Sequence, residues 1–360
     1  MSQSPLRIGT SGWSYPAGRG TWTGVFYPAP PGGSGPAPSG RRTRGGAVDE
    51  LAYYAERFNT VEINSSFYGV PTPEVARSWA RRTPAGFEFA AKLWQKFTHP
   101  AMFARAARQA VTERPEVTQA DVDEVRRAFD PLASAGKLGP LLAQFPPSFH
   151  ASDAAVDYLA WLVEAFAGFQ IAVELRHRSW SDDPGRTLGI LNRHAAAWAQ
   201  IDEPKFRSSI RQDLLPNVTS FYYLRLHGRN AAQWWEHGTT EDRYNYLYSI
   251  EELEPFAGAA TLARRLVKKL YLYMNNHFEA KSVANAVMLK HRLGEPIAGT
   301  YPETFLEKYP DLRGIVTTAD ATPAPAPAGA PTRADALSAE PDVLRPGHEA
   351  RPAQGDLFEE

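Results

Sequence analysis

Arg225-Leu226-His227-Gly228-Arg229-Asn230 directly follows the apolar run Phe221-Tyr222-Tyr223-Leu224, and this order constrains the fold more than any other feature of the chain. An apolar run that ends in Arg, His, Arg and Asn is not closing a hydrophobic core. It carries charge and hydrogen-bond donors to one rim of a sheet. Three other runs do the same: Val61-Glu62-Ile63-Asn64-Ser65-Ser66, Ala172-Val173-Glu174-Leu175-Arg176-His177 and Leu272-Tyr273-Met274-Asn275-Asn276-His277. Several strands that deliver polar groups to one end are the pattern of a β/α barrel with its site at the C-terminal face.

The remaining pattern agrees. Strands are expected at residues 6–11, 60–66, 87–93, 138–145, 170–176, 197–202, 221–227 and 269–275. Helices are expected at 48–57, 73–82, 101–133, 152–167, 185–194, 249–268 and 279–293, with Asp49, Ser152 and Ser249 as N-caps. The sixth unit is the weakest, because the stretch from Pro204 to Pro216 is too broken for a regular helix. The expected architecture is α/β: a single eightfold β/α (TIM-type) barrel over residues 1–317. Residues 29–46 read as a flexible Pro/Gly-rich insertion, and residues 318–360 as a disordered, acidic Ala/Pro-rich tail.

Composition narrows the function classes. The chain has no cysteine, so disulfides, thiolate zinc sites and cysteine nucleophiles are excluded. The first seven residues hold no apolar segment of a signal peptide, and no apolar run approaches the ~20 residues of a membrane span. A cytoplasmic protein with no membrane partner is the expectation. A formal net charge of -1 gives no bulk argument for nucleic-acid binding, although the body before the acidic tail is mildly basic.

Several blocks carry a family resemblance. They are Ile8-Gly9-Thr10-Ser11-Gly12-Trp13-Ser14-Tyr15, the run from Phe58 to Tyr68, and the stretches 89–99, 138–149, 173–180, 223–230 and 273–285. In this order they resemble the YecE-like family, known as domain of unknown function 72, from about Leu6 to Leu293. The resemblance implies an eightfold β/α barrel and supplies no established reaction.

Side chains alternate along a strand, so parity separates the two faces. With Val61, Ile63, Val173, Leu175, Leu224 and Leu226 facing the helices, Glu62, Asn64, Glu174, Arg176, Tyr223, Arg225 and His227 point inward. The same rule turns Lys92, Gln144, Asp202, Tyr273 and Asn275 inward. The functional reading is a pocket for a phosphate-bearing or sugar-like ligand. Arg176, Arg225, Arg229 and Lys92 would supply charge, Asn64, Asn275 and Asn276 hydrogen bonds, and Trp13, Tyr15 and Trp94 stacking faces. Phe67 and Trp180, also beyond strand ends, are further stacking candidates. The bland alternative is a salt-bridge network that only fills the barrel. His227 is the proton-transfer candidate, with Glu174 and Glu62 as carboxylate partners. A divalent metal on Glu62, Glu174, His177, Asp202, His227 or His277 is a further option, opposed by the neighbouring Arg and Lys. Trp234-Trp235 and the stretch from Arg243 to Tyr248 read either as an aromatic lid or as an ordinary loop anchor.

Near the C-terminus, Gln354-Gly355-Asp356-Leu357-Phe358 resembles the bacterial sliding-clamp-binding pentapeptide, with Gln354, Leu357 and Phe358 as the contact residues. Chance is the competing explanation. If the motif is used, the substrate is DNA or a nucleotide and the reaction phosphoester hydrolysis. The alternatives are a non-catalytic nucleic-acid-binding adaptor and a sugar-phosphate isomerase-like enzyme.

Overall fold

The computed structural model describes residues 4–29, 48–107, 116–234 and 241–318. Almost all of the expected insertion, and the expected tail beyond Thr318 with its terminal motif, lie outside the described residues.

Among the described residues, nine parallel strands form the two main sheets. They are β1 (Leu6–Thr10), β2 (Thr60–Ile63), β3 (Glu88–Lys92), β4 (Leu138–Gln144), β5 (Ile171–Glu174), β6 (Ala197–Trp198), β7 (Gln200–Asp202), β8 (Tyr222–Leu226) and β9 (Leu270–Met274). One sheet has the order β1-β9-β8-β7 and the other β2-β3-β4-β5-β6. The sixth expected strand is therefore split at Ala199, whose neighbours belong to different sheets. At the other junction Ser11 and Glu62 form a parallel bridge, and Gly12 N donates to Glu62 O at 2.8 Å. Gly9 lies at this junction because nothing larger fits: a Cβ there would stand 2.3 Å from Thr60 O.

Helices join most of the strands, as parallel pairing requires. Asp49, Ser152 and Ser249 cap their helices through their side chains, as their positions predict. Three expectations change. The helix expected over 101–133 is two helices, Pro100–Ala106 and Gln119–Ser134, with 108–115 outside the described residues. The helix expected from Glu279 starts at Lys281, because Glu279 and Ala280 have positive φ. Short helices Gln95–Thr98 and Ser179–Asp182 follow β3 and β5 directly. Among the described residues no helix is long and apolar enough to cross a membrane.

Two hydrophobic layers result. The larger lies between strands and helices. The smaller, on the opposite strand face, contains Ala90, Leu142, Ala172, Ala197, Ala199, Phe221, Tyr223, Tyr271 and Tyr273. Below it, at the N-terminal strand ends, Glu88 accepts from Arg7 at 2.6 Å, Lys269 at 2.9 Å and Tyr271 at 2.6 Å. The carboxylate is satisfied on all sides, so this end is sealed by a structural ion cluster. The other end holds the candidate site.

Candidate functional site

Register sets the site. Gln144 lies opposite Glu174 and Lys92 opposite Leu142, so Lys92, Gln144 and Glu174 share the inner face with Ala172. Arg225 lies opposite Tyr273 on that face. Arg225 bridges two carboxylates there: Nη1 donates to Glu174 Oε2 at 2.6 Å and Nη2 to Glu62 Oε1 at 2.7 Å. Nη1 also reaches Gln144 Oε1 at 3.0 Å, and the Tyr223 hydroxyl donates to Glu62 Oε2 at 2.6 Å. On the outer side of Glu174, Arg176 Nε donates to Oε1 at 2.8 Å. Burial would raise the Glu174 carboxyl, but Arg225 and Arg176 outweigh it and hold it well below the usual carboxylate range.

His227 is fully buried beside this cluster. Asn275 Nδ2 lies 2.8 Å from its Nδ1, and its Nε2 stands 3.3 Å from Arg176 Nη2 and 3.4 Å from Glu174 Oε1. Burial pushes the imidazolium pKa down to about 3, with Arg176 and Arg225 adding to the effect against Glu174. His227 is thus neutral at neutral pH. The structure joins Arg225, Glu174, His227 and Asn275 in one network, as parity predicts, but it does not leave Arg225 free to grip a ligand. Both its amino groups are engaged by protein; only Nε is without a partner.

Lys92 differs from every group around it. Its Nζ stands 3.8 Å from the centre of the Phe67 ring, and it has no hydrogen bond or ion pair among the described residues. Burial and then the neighbouring Arg225 lower its pKa from 10.5 to about 7, against the pull of Glu174 and Glu62. His99, edge-on to Phe67 at 4.9 Å, is held neutral by burial and by Lys92. Tyr15 completes the mouth. Its hydroxyl donates to Ser11 O at 2.5 Å, its ring stacks on His277 at 4.3 Å, and Asn64, Tyr68 and Tyr244 lie around its hydroxyl. Asn64 Oδ1 is buried without a partner. Of the expected aromatic lid, Tyr244 packs on His277 at 4.7 Å, whereas Trp235 lies outside the described residues.

Several expected site residues lie elsewhere. Asp202 sits opposite Leu226, on the helix-facing side, and accepts from Tyr248 at 2.7 Å and Arg229 at 2.8 Å. Arg229 also reaches Glu252, so it secures a strand end to the helix Ile250–Ala263 instead of serving the pocket. Asn276 donates to Tyr246 O and Asn285 Oδ1, both at 2.7 Å, and fixes the loop behind the site. Trp13 packs edge-on against Trp79 at 5.7 Å, and Trp94 against Phe103 at 5.1 Å. Both rings belong to the sheet-helix layer. Trp180 is buried there too, stacked on Phe149. Among the described residues no group of three or more His, Asp or Glu is arranged to hold a metal ion. The carboxylates of Glu62 and Glu174 face Arg225 instead.

Parity also hid a site residue. With Asp202 turned outward, Glu203 turns toward Arg176, whose Nη1 stands 3.3 Å from its Oε2. Burial raises the Glu203 carboxyl. The signal was present: Ile201 lies opposite Arg225, and one more alternation brings Glu203 level with His227. His99 was missed because it follows a short helix rather than a strand.

Comparison with known proteins adds the family. The chain is 26% identical over 264 residues to UPF0759 protein YunF of Bacillus subtilis, covering 70% of this chain and 89% of that one. It is 29% identical over 131 residues to UPF0759 protein YecE of Escherichia coli, covering 36% and 42%. A crystal structure of a DUF72 family protein from Thermotoga maritima superposes with a TM-score of 0.65 at 30% identity, over 81% of this chain and all 100% of that one. One from Enterococcus faecalis gives 0.65 at 20% identity, over 81% and 96%, and speaks for the fold alone. Residues 7–307 match the family described as protein of unknown function DUF72, and the chain belongs to it.

Proposed function

We propose that the rim formed by Lys92, Arg176, His227, Asn64 and Tyr15 binds and processes a phosphate-bearing substrate. The observation that carries this reading is the Lys92 ammonium. Arg225 and Arg176 are matched by Glu62 and Glu174, and the Glu203 carboxyl is raised toward its neutral form. Lys92 has no such partner among the described residues, so its charge is the one in the pocket left without a direct counter-ion. A partly buried cation without a counter-charge is costly, and a bound anion would relieve it. We read the two sheets as one closed eightfold barrel, supported by the Ser11–Glu62 bridge and by the single residue between β6 and β7. The rim would then be the C-terminal mouth of that barrel, where such folds hold their sites.

DNA or a nucleotide is the phosphate-bearing class that the tail sequence favours. Gln354, Leu357 and Phe358 would tether the protein to a bacterial sliding clamp, raising its effective concentration on DNA. Titration calorimetry of the full chain with inorganic phosphate, in chloride buffer, tests the anion site. Binding that falls at least tenfold in Lys92→Met supports it; no binding above chloride leaves a salt-bridge network that only fills the fold. Incubation with an abasic duplex, with and without divalent metal, separates the classes. Cleavage supports a phosphoester hydrolase, and binding without turnover an adaptor.

A further inference from the structure

We infer that Lys92 is a nucleophile that captures a carbonyl carbon of the substrate as a covalent imine. The inference rests on the phosphate-site reading and narrows its substrate to a phosphate-bearing aldehyde or ketone.

Other buried and half-buried lysines show what a structural lysine does in this fold. Lys137 Nζ donates to Ala80 O at 2.7 Å and Thr83 O at 2.7 Å. Lys96 is held by Asp121, Lys269 by Glu88 and Lys290 by Arg57 O. Lys92 Nζ lies over the Phe67 ring and has no hydrogen-bond partner among the described residues, so its lone pair, once formed, is not committed to any donor there. Its backbone is fixed all the same. Lys92 O accepts from Ser66 Oγ at 2.7 Å, and the next residue's N donates to Leu142 O at 2.9 Å. A free amine on a rigid strand end is the arrangement covalent capture requires.

The surroundings favour both states of the reaction. Burial and the nearby arginines bring the amine pKa to about 7, so free base and ammonium coexist at neutral pH. The Phe67 face, 3.8 Å from Nζ, stabilises the cationic iminium that follows. In the step itself the Nζ lone pair attacks the carbonyl carbon and forms an N–C bond. The carbonyl π pair goes to oxygen, which takes up a proton as Nζ gives one up, yielding a carbinolamine. One further proton from solvent lets the oxygen leave as water, and the nitrogen lone pair closes the C=N bond. No redox partner is needed.

The test uses the full-length protein, D-glyceraldehyde 3-phosphate as probe, and sodium cyanoborohydride to reduce any iminium to a stable secondary amine. Peptide mass mapping at pH 7 should find Lys92 labelled at least tenfold more than the exposed Lys205 and Lys268. Glyceraldehyde without phosphate, run in parallel, keeps the two readings apart. Strong labelling of Lys92 only with the phosphorylated probe supports both. Equal labelling of Lys92 by both probes supports the imine and removes the phosphate reading. Labelling confined to Lys205 and Lys268, while inorganic phosphate still binds, overturns the imine alone.

Discussion

Arg225 and Glu174 lie 2.6 Å apart with their side chains 1% and 0% exposed, and Glu174 is shared on its other oxygen by Arg176. A pair this deep gains little over an apolar core, but breaking it strands a charge. Arg225→Ala would leave Glu62 buried without its cation and Glu174 with Arg176 alone. It should lower the unfolding free energy by about 3–5 kcal/mol in urea titration. A loss below about 1 kcal/mol, with ligand binding abolished, would restore Arg225 to the role of a free ligand-binding arm.

Acid should weaken the fold through the buried imidazoles. The folded pKa of His227 lies below its unfolded value, from 6.5 down to about 3, and His99 and His277 move the same way. A depressed group contributes its full stability above the unfolded pKa and loses it as pH falls toward the folded one. Unfolding free energy should therefore decline from about pH 6.5 toward pH 3. His227→Asn should reduce the slope between pH 7.5 and 5; an unchanged slope would show that folding does not shift the His227 pKa.

Arg229→Ala should leave phosphate affinity within twofold of the wild type. Its partners are Asp202 and Glu252, on the helix-facing side, and its side chain is 37% exposed. Solvent screening limits the expected loss of stability to about 1 kcal/mol. A tenfold loss of phosphate affinity in calorimetry would bring Arg229 back into the site.

Gly9→Ala tests the seam between β1 and β2. The added methyl would meet Thr60 O at 2.3 Å and the Tyr54 hydroxyl at 3.0 Å. Backbone cannot move aside as a side chain can, so a loss of about 1–3 kcal/mol is expected. A melting temperature equal to that of the wild type would show that the two strands separate freely.

The sequence by itself determined the succession of strands and helices along the chain, the parallel α/β class and the inward set Glu62, Lys92, Gln144, Glu174, Arg225 and His227. Alternation with period two is local, and it holds at the C-terminal ends of these strands, beyond the irregular pairing of β3 with β4. The caps at Asp49, Ser152 and Ser249 were legible for the same reason. Tertiary structure decided what local patterns cannot hold. The sheet break at Ala199 comes with an opposite facing for Asp202 and Glu203 to that read from the run, because pairing to β8 fixes the register there. Charge partners were also out of reach. Sequence shows that Arg176, Arg225, Arg229 and Lys92 are cationic, but only packing matches three of them with carboxylates and leaves Lys92 against Phe67. An ion pair joins residues far apart in the chain, so which cation remains unmatched is a property of the fold.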